Sequence, residues 1–128
     1  MNYMLLIYQE EEAPGQTEDV HGECVKTCEG LVDRLWASGQ YVAAGILQPT
    51  SHATSVRLRQ GNRLVTDGPF AETHEQLAGY LLVEANDLDE AVAIAAQHPV
   101  AKTGTVEVRP LREIPFLTSS ATTANSNK

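Results

Sequence analysis

Six strand-like stretches share only two helical ones in this chain, and that ratio limits its fold more than any other feature. Tyr3–Tyr8 is a continuous apolar run rich in β-formers and reads as a strand buried on both faces. Glu10–Gln16, with Pro14-Gly15, is a loop. Thr17 is an N-cap followed by Glu18 and Asp19, acids that favour a helix start. The helical pattern runs to Ser38 with Cys24, Cys28, Leu31, Val32 and Leu35 on one face, and Gly39 fits the C′ position. Gln40–Leu47 is a strand whose small residues predict close packing by a neighbouring element, and Gln48-Pro49 ends it. Ser55–Arg59 alternates, and Gln60-Gly61-Asn62 turns it into Arg63–Thr66 as a hairpin. Glu75–Ala78 reads as a short turn, and Gly79–Glu84 as a central strand. Asp87 and Glu90 form a capping box, worth about 1 kcal/mol, for a helix that Pro99 ends. Val100–Lys102 adds a helical turn before Gly104, and Thr105–Arg109 closes the sheet. The order is β-α-β, a hairpin, then β-α-β. Two helices cover one face of such a sheet, and the other face is expected to pair with a second copy.

At 128 residues the chain makes one domain with one core. The net charge of −8 argues against nucleic acid or an anionic membrane as partner, because both reward positive charge. No apolar run approaches the roughly eighteen residues that a membrane span needs. The first residues lack a basic start and a small-residue cleavage site, so a cytoplasmic protein is expected. Cys24 and Cys28 do not make a disulfide framework. No Gly-rich phosphate loop, Gly-x-Ser-x-Gly elbow or histidine-rich metal motif is present, so neither a cofactor nor a metal is expected. The domain is placed at residues 1–115, followed by a tail, 116–128. The Ser/Thr/Ala/Asn-rich composition of that tail predicts disorder.

The stretch with chemical content is Thr66–Glu75. Asp-Gly-Pro reverses a chain, yet Phe70 follows at once and then a run of polar and ionisable side chains. Asp67 serves either as a general base or by capping its own turn, as Asp before Gly does. Phe70 serves as an aromatic wall for a planar ligand or as a core or interface plug. Histidine is the side chain whose unperturbed pKa lies near neutrality, which makes His74 the natural proton shuttle, with Thr73 beside it; the alternative is an exposed loop histidine. Gln48 ends its strand where it can reach the cleft of Asp67. His21, Cys24 and Cys28 share a helix face and offer three zinc ligands, but no fourth is evident, and the cysteines lie in the apolar stripe as small hydrophobes.

Asp67-Gly68-Pro69-Phe70-Ala71-Glu72-Thr73 is also a signature. It occurs with Met4–Tyr8, Leu47-Gln48-Pro49, Val65–Phe70, Glu75–Tyr80 and Val106–Pro110. Together these make the chain resemble the YCII-related proteins, in the branch named for its DGPF motif, over nearly all of residues 1–115. The resemblance implies an α+β, ferredoxin-like fold of the dimeric α/β-barrel type. That fold has an antiparallel sheet, two main helices on one face, an inserted β-hairpin and a homodimer formed sheet to sheet. Distant relatives carry a catalytic His–Asp pair, and one branch dehydrochlorinates an aromatic without a cofactor. Within the DGPF branch, some members are fused to, or encoded beside, extracytoplasmic-function sigma factors. Aligned at Gly39, the family histidine falls near Cys28 and the family aspartate on His98, so neither is kept in kind. The expectation is a small cofactor-free enzyme, isomerase- or lyase-like, acting on a small organic molecule. Asp67 and His74 would be catalytic, and Gln48, Phe70 and Thr73 would bind. The alternative is a non-catalytic ligand-binding or regulatory dimer, linked to such a sigma factor.

Overall fold

The computed structural model of the chain describes residues 1–11, 17–71 and 73–117, and the side chains of all of these except 17–25. Six strands and two longer helices follow one another in the expected order: β1 (Asn2–Gln9), α1 (Thr17–Ala37), β2 (Tyr41–Ile46), β3 (Thr54–Arg59), β4 (Asn62–Asp67), β5 (Gln76–Glu84), α2 (Leu88–Ala96) and β6 (Thr105–Pro110). Four of the strands form an antiparallel sheet in the order β2-β5-β1-β6, which is the ferredoxin-like arrangement, while β3 and β4 pair only with each other. Short 3₁₀ turns at Thr50–His52 and Pro99–Lys102 lead into β3 and β6. The tail expected from residue 116 lies outside the described residues beyond Leu117, whose amide still donates to Ile114 O.

The two faces of the sheet differ. Tyr3, Leu5 and Ile7 of β1 and Leu81 and Val83 of β5 are buried under the helices, together with Leu31 and Leu35 of α1 and Ala91, Ile94 and Ala95 of α2. The residues between them, Met4, Leu6, Tyr80 and Leu82, lie on the opposite face and are half-buried. Tyr3–Tyr8 is therefore fully buried on one face only, contrary to the expectation from its unbroken apolar run. Strand β5 also starts earlier than expected, at Gln76, because a register irregularity at Ile7/Tyr8 lets Tyr8 and Gln9 pair with Leu77 and Gln76.

Local chemistry accounts for the element ends. Gly39, at φ 76°, closes α1: its amide donates to Trp36 O and the Gln40 amide to Leu35 O, which is the Schellman pattern. At the start of α2, the Asp87 carboxylate accepts from Glu90 N at 2.9 Å, and Glu90 Oε1 reaches back to Asn86 N at 3.0 Å. The small residues of β2 have the predicted cause. The Tyr80 ring lies over Gly45, and a Cβ there would come within 2.7 Å of it. The hairpin turn is tighter than expected: Gln60 and Gly61, both at positive φ, form a two-residue loop, and Asn62 already pairs with Arg59.

Candidate functional site

The 66–75 loop leaves β4 at Asp67, opposite Thr54. Gly68 takes φ 99°, a conformation that suits glycine. The reversal is held from the neighbouring strand: Gly68 N donates to Ala53 O at 2.7 Å, and Ser55 Oγ donates to Gly68 O at 2.7 Å. Asp67 is exposed, and no hydrogen bond to its carboxylate occurs among the described residues. Phe70 is 78% exposed, so it is not a core plug. Glu72 lies outside the described residues.

Beyond Phe70 the loop is stitched to the sheet end. Thr73 Oγ1 donates to Glu75 O at 2.5 Å, and Gln76 Nε2 donates to Thr73 O at 2.6 Å. Thr105 Oγ1 donates to Glu75 Oε1 at 2.9 Å, which ties the loop to β6. Glu11 completes the seam: its amide meets Gln76 Oε1, and its carboxylate accepts from Thr50 N at 2.7 Å. His74 is exposed and its Nε2 contacts Glu10 Oε1. The structure thus gathers Thr73 and His74 at the C-terminal end of β1. Gln48 is exposed just after β2, and no hydrogen bond among the described residues joins it or Asp67 to that group.

A second pair of ionisable groups meets where α1 lies against the Pro99–Lys102 turn. Cys28 of α1 and His98, just before the Pro99–Lys102 turn, are seventy residues apart, yet Sγ lies 3.8 Å from Nε2. His98 is only 6% exposed. Its Nδ1 accepts from Val100 N at 3.1 Å, capping the 3₁₀ turn. A ring nitrogen that accepts carries no proton, so in the neutral imidazole the proton sits on Nε2 and faces the sulfur. The same arrangement disfavours imidazolium, because Nδ1 would have to be protonated against the Val100 N–H. Burial is what holds the His98 pKa below its ordinary value of 6.5. The contact of Cys28 with His98 has no local signature in sequence. Among the described residues, no group of three or more His, Cys, Asp or Glu could hold a metal ion. The side chains of His21 and Cys24 lie outside the described set.

The depressed histidine makes stability depend on pH. The unfolded chain binds a proton on this side chain near pH 6.5, and the folded chain does so only at lower pH. The unfolded state therefore holds more protons between those two values. Stability contributed by neutral His98 is present above about pH 6.5 and is lost as pH falls through the folded pKa. Urea midpoints measured from pH 8 to pH 5 are expected to fall in that window for the native chain, and to fall less for His98→Asn.

No described helix is long and apolar enough to cross a membrane. The family model of the YCII-related domain matches residues 1–115. An uncharacterized protein of Rhizobium meliloti (strain 1021) is 37% identical over 114 residues, covering 87% of this chain and 92% of that protein. With the ferredoxin-like sheet order and the family match over the whole described domain, the chain belongs to the YCII-related domain family.

Proposed function

We propose that the chain is a homodimeric, cofactor-free enzyme of the isomerase or lyase type, from the DGPF branch of its family. It would move a proton on a small organic molecule in the cytoplasm, where reducing conditions keep its thiols reduced. The observation that carries this reading is the Cys28–His98 contact. A thiol beside a fixed N–H donor becomes, once ionised, a base that needs no bound cofactor, and its half-burial lets a small carbon acid approach while limiting water. In this reading Cys28 takes the proton, and His98 is a positioning residue that sets its ionisation. Asp67, His74, Phe70, Gln48 and Thr73 supply further acid–base and binding groups from the loop side. They are solvent-facing in a single chain and act once a second chain covers them.

One observation favours the alternative, a ligand-binding or regulatory dimer. His98 Nδ1 is occupied by Val100 N–H, which leaves a single proton-handling group at this pair.

Deuterium incorporation separates the two readings. A panel of enolisable and aromatic small molecules is incubated in D₂O with the native chain, Cys28→Ser and His98→Asn, and carbon-bound deuterium is read by mass spectrometry. Exchange is expected with the native chain, and a loss on the order of a hundredfold with Cys28→Ser. Asparagine at position 98 can still accept from Val100 N but offers nothing to the sulfur, so its exchange profile is expected at higher pH. Compounds that raise the melting temperature of the native chain without any exchange would establish the ligand-binding reading instead.

A further inference from the structure

The hairpin β3–β4 is unlike the rest of the domain. Among the described residues its strands join no other strand. Every residue from Val56 to Asp67 is exposed. Two-stranded hairpins are marginal in water unless a third element packs on them. This one carries aliphatic side chains that a solvated hairpin does not need: Val56 is 61% exposed, Leu58 67%, Leu64 47% and Val65 57%. Val56 and Val65 are cross-strand partners and Leu58 faces Arg63, so one side presents an apolar strip edged by a cation.

Charge separates the hairpin from the body as well. It holds Arg57, Arg59 and Arg63 of the chain's nine Lys and Arg, but only Asp67 of its seventeen Asp and Glu. The hairpin is therefore net +2, and the remainder is −10 in a chain of −8. A hairpin with an apolar strip edged by Arg63 on one side and with Arg57 and Arg59 on the other fits an acidic surface with apolar patches, and the body of this same chain has that character. Exposed acids include Glu29 and Asp33 on α1, and Glu84, Asp87 and Asp89 at the β5–α2 corner. Two such bodies repel one another, and a basic arm from each onto the other offsets that repulsion.

We infer that β3–β4 is a docking arm that lies on the acidic body of a second copy of the chain. This rests on the homodimer reading given above and adds to it a specific element and a specific charge pattern. The arm leaves the body at Asp67, so docking would also bring the 66–75 loop, with Phe70, against the second copy.

The test uses the full chain. Sedimentation velocity gives the dimer dissociation constant for the native chain, for Arg57→Glu/Arg59→Glu/Arg63→Glu, and for the triple lysine variant at the same positions. A photo-crosslinking amino acid replaces Leu58 in a fourth sample. Dissociation is expected to weaken on the order of a hundredfold on charge reversal and to stay within a few-fold of native with lysine. Crosslinking is expected to yield a covalent pair of chains, joined from position 58 to an acidic segment of the other body. Circular dichroism is the check that the reversed variant is folded. A native chain that is monomeric at micromolar concentration overturns the homodimer reading, and this inference with it. A native dimer that charge reversal leaves intact, or one whose crosslinks stay within a single chain, overturns the arm alone.

Discussion

Alanine at position 104 is expected to lower the stability of the domain by about 3 kcal/mol, at the upper end of what overpacking costs. Gly104 ends the turn between Pro99–Lys102 and β6, and its amide donates to Val100 O at 2.7 Å. A Cβ at this site would lie 2.3 Å from Tyr8 O, 2.9 Å from Val100 Cγ1 and 3.3 Å from Gln9 Cα. The first and last of these are backbone atoms of β1, the strand on which β6 is hydrogen-bonded. They cannot rotate aside as a side chain tip can. Relief requires β1 and β6 to separate at Tyr8/Thr105 or the turn to open, and opening the turn also disturbs the His98 cap on Val100. Urea unfolding measures the loss. Thiol labelling of Cys28 in the same variant is expected to change as the His98 ring moves. An alanine variant with native stability would mean that β6 can slide on β1 at no cost, contrary to the register seen here.

The second large effect is expected at Leu81. It is 2% exposed, sits on a central strand, and pairs across the sheet with Leu5, which is fully buried. Leu81→Ala removes buried methyl groups and leaves a cavity that the sheet backbone cannot close, so the loss is expected at about 3 to 4 kcal/mol. That is a large share of the roughly 5 to 15 kcal/mol that holds a domain together. The melting temperature is expected to drop on the order of 10 to 15 °C. Leu64→Ala on the hairpin is the internal comparison. The same atoms are removed from a side chain that is 47% exposed, and a single chain loses little. Equal losses at the two sites would show that the hairpin is packed in solution even in one chain.

Much of the fold was legible because its determinants are local. Gly39 ends α1 by a conformation only glycine takes easily. Asp87 and Glu90 cap α2 within one turn, and the alternation from Ser55 to Thr66 marks a hairpin. What sequence could not report was distance along the chain. Asp67 reads as either a general base or the cap of its own turn, and no local pattern shows that Ala53 and Ser55 bond to Gly68 from the opposite strand. Alternation in β3 and β4 reported a period of two without reporting that neither side would be covered by its own chain. Cys28 and His98 each had a place in the pattern, one in the apolar stripe of a helix and one ahead of Pro99. Their meeting depends on how α1 lies against the 3₁₀ turn, which no window of either segment contains.

The sheet order has a consequence for how the protein is made. Strand β1 is synthesised first, yet it pairs with β5 and β6 and not with β2. Its partner residues run from Gln76 to Glu84 and from Thr105 to Pro110. While the ribosome is still working through the middle of the chain, α1 and the β3–β4 hairpin can form from near neighbours, but Leu5 and Ile7 have no strand to join. The core closes only once β6 has emerged, so folding is expected to be governed by long-range pairing and to come late. Until then, the apolar run Met4–Ile7 of β1 waits exposed on the nascent chain, where a chaperone that binds extended apolar segments would find it.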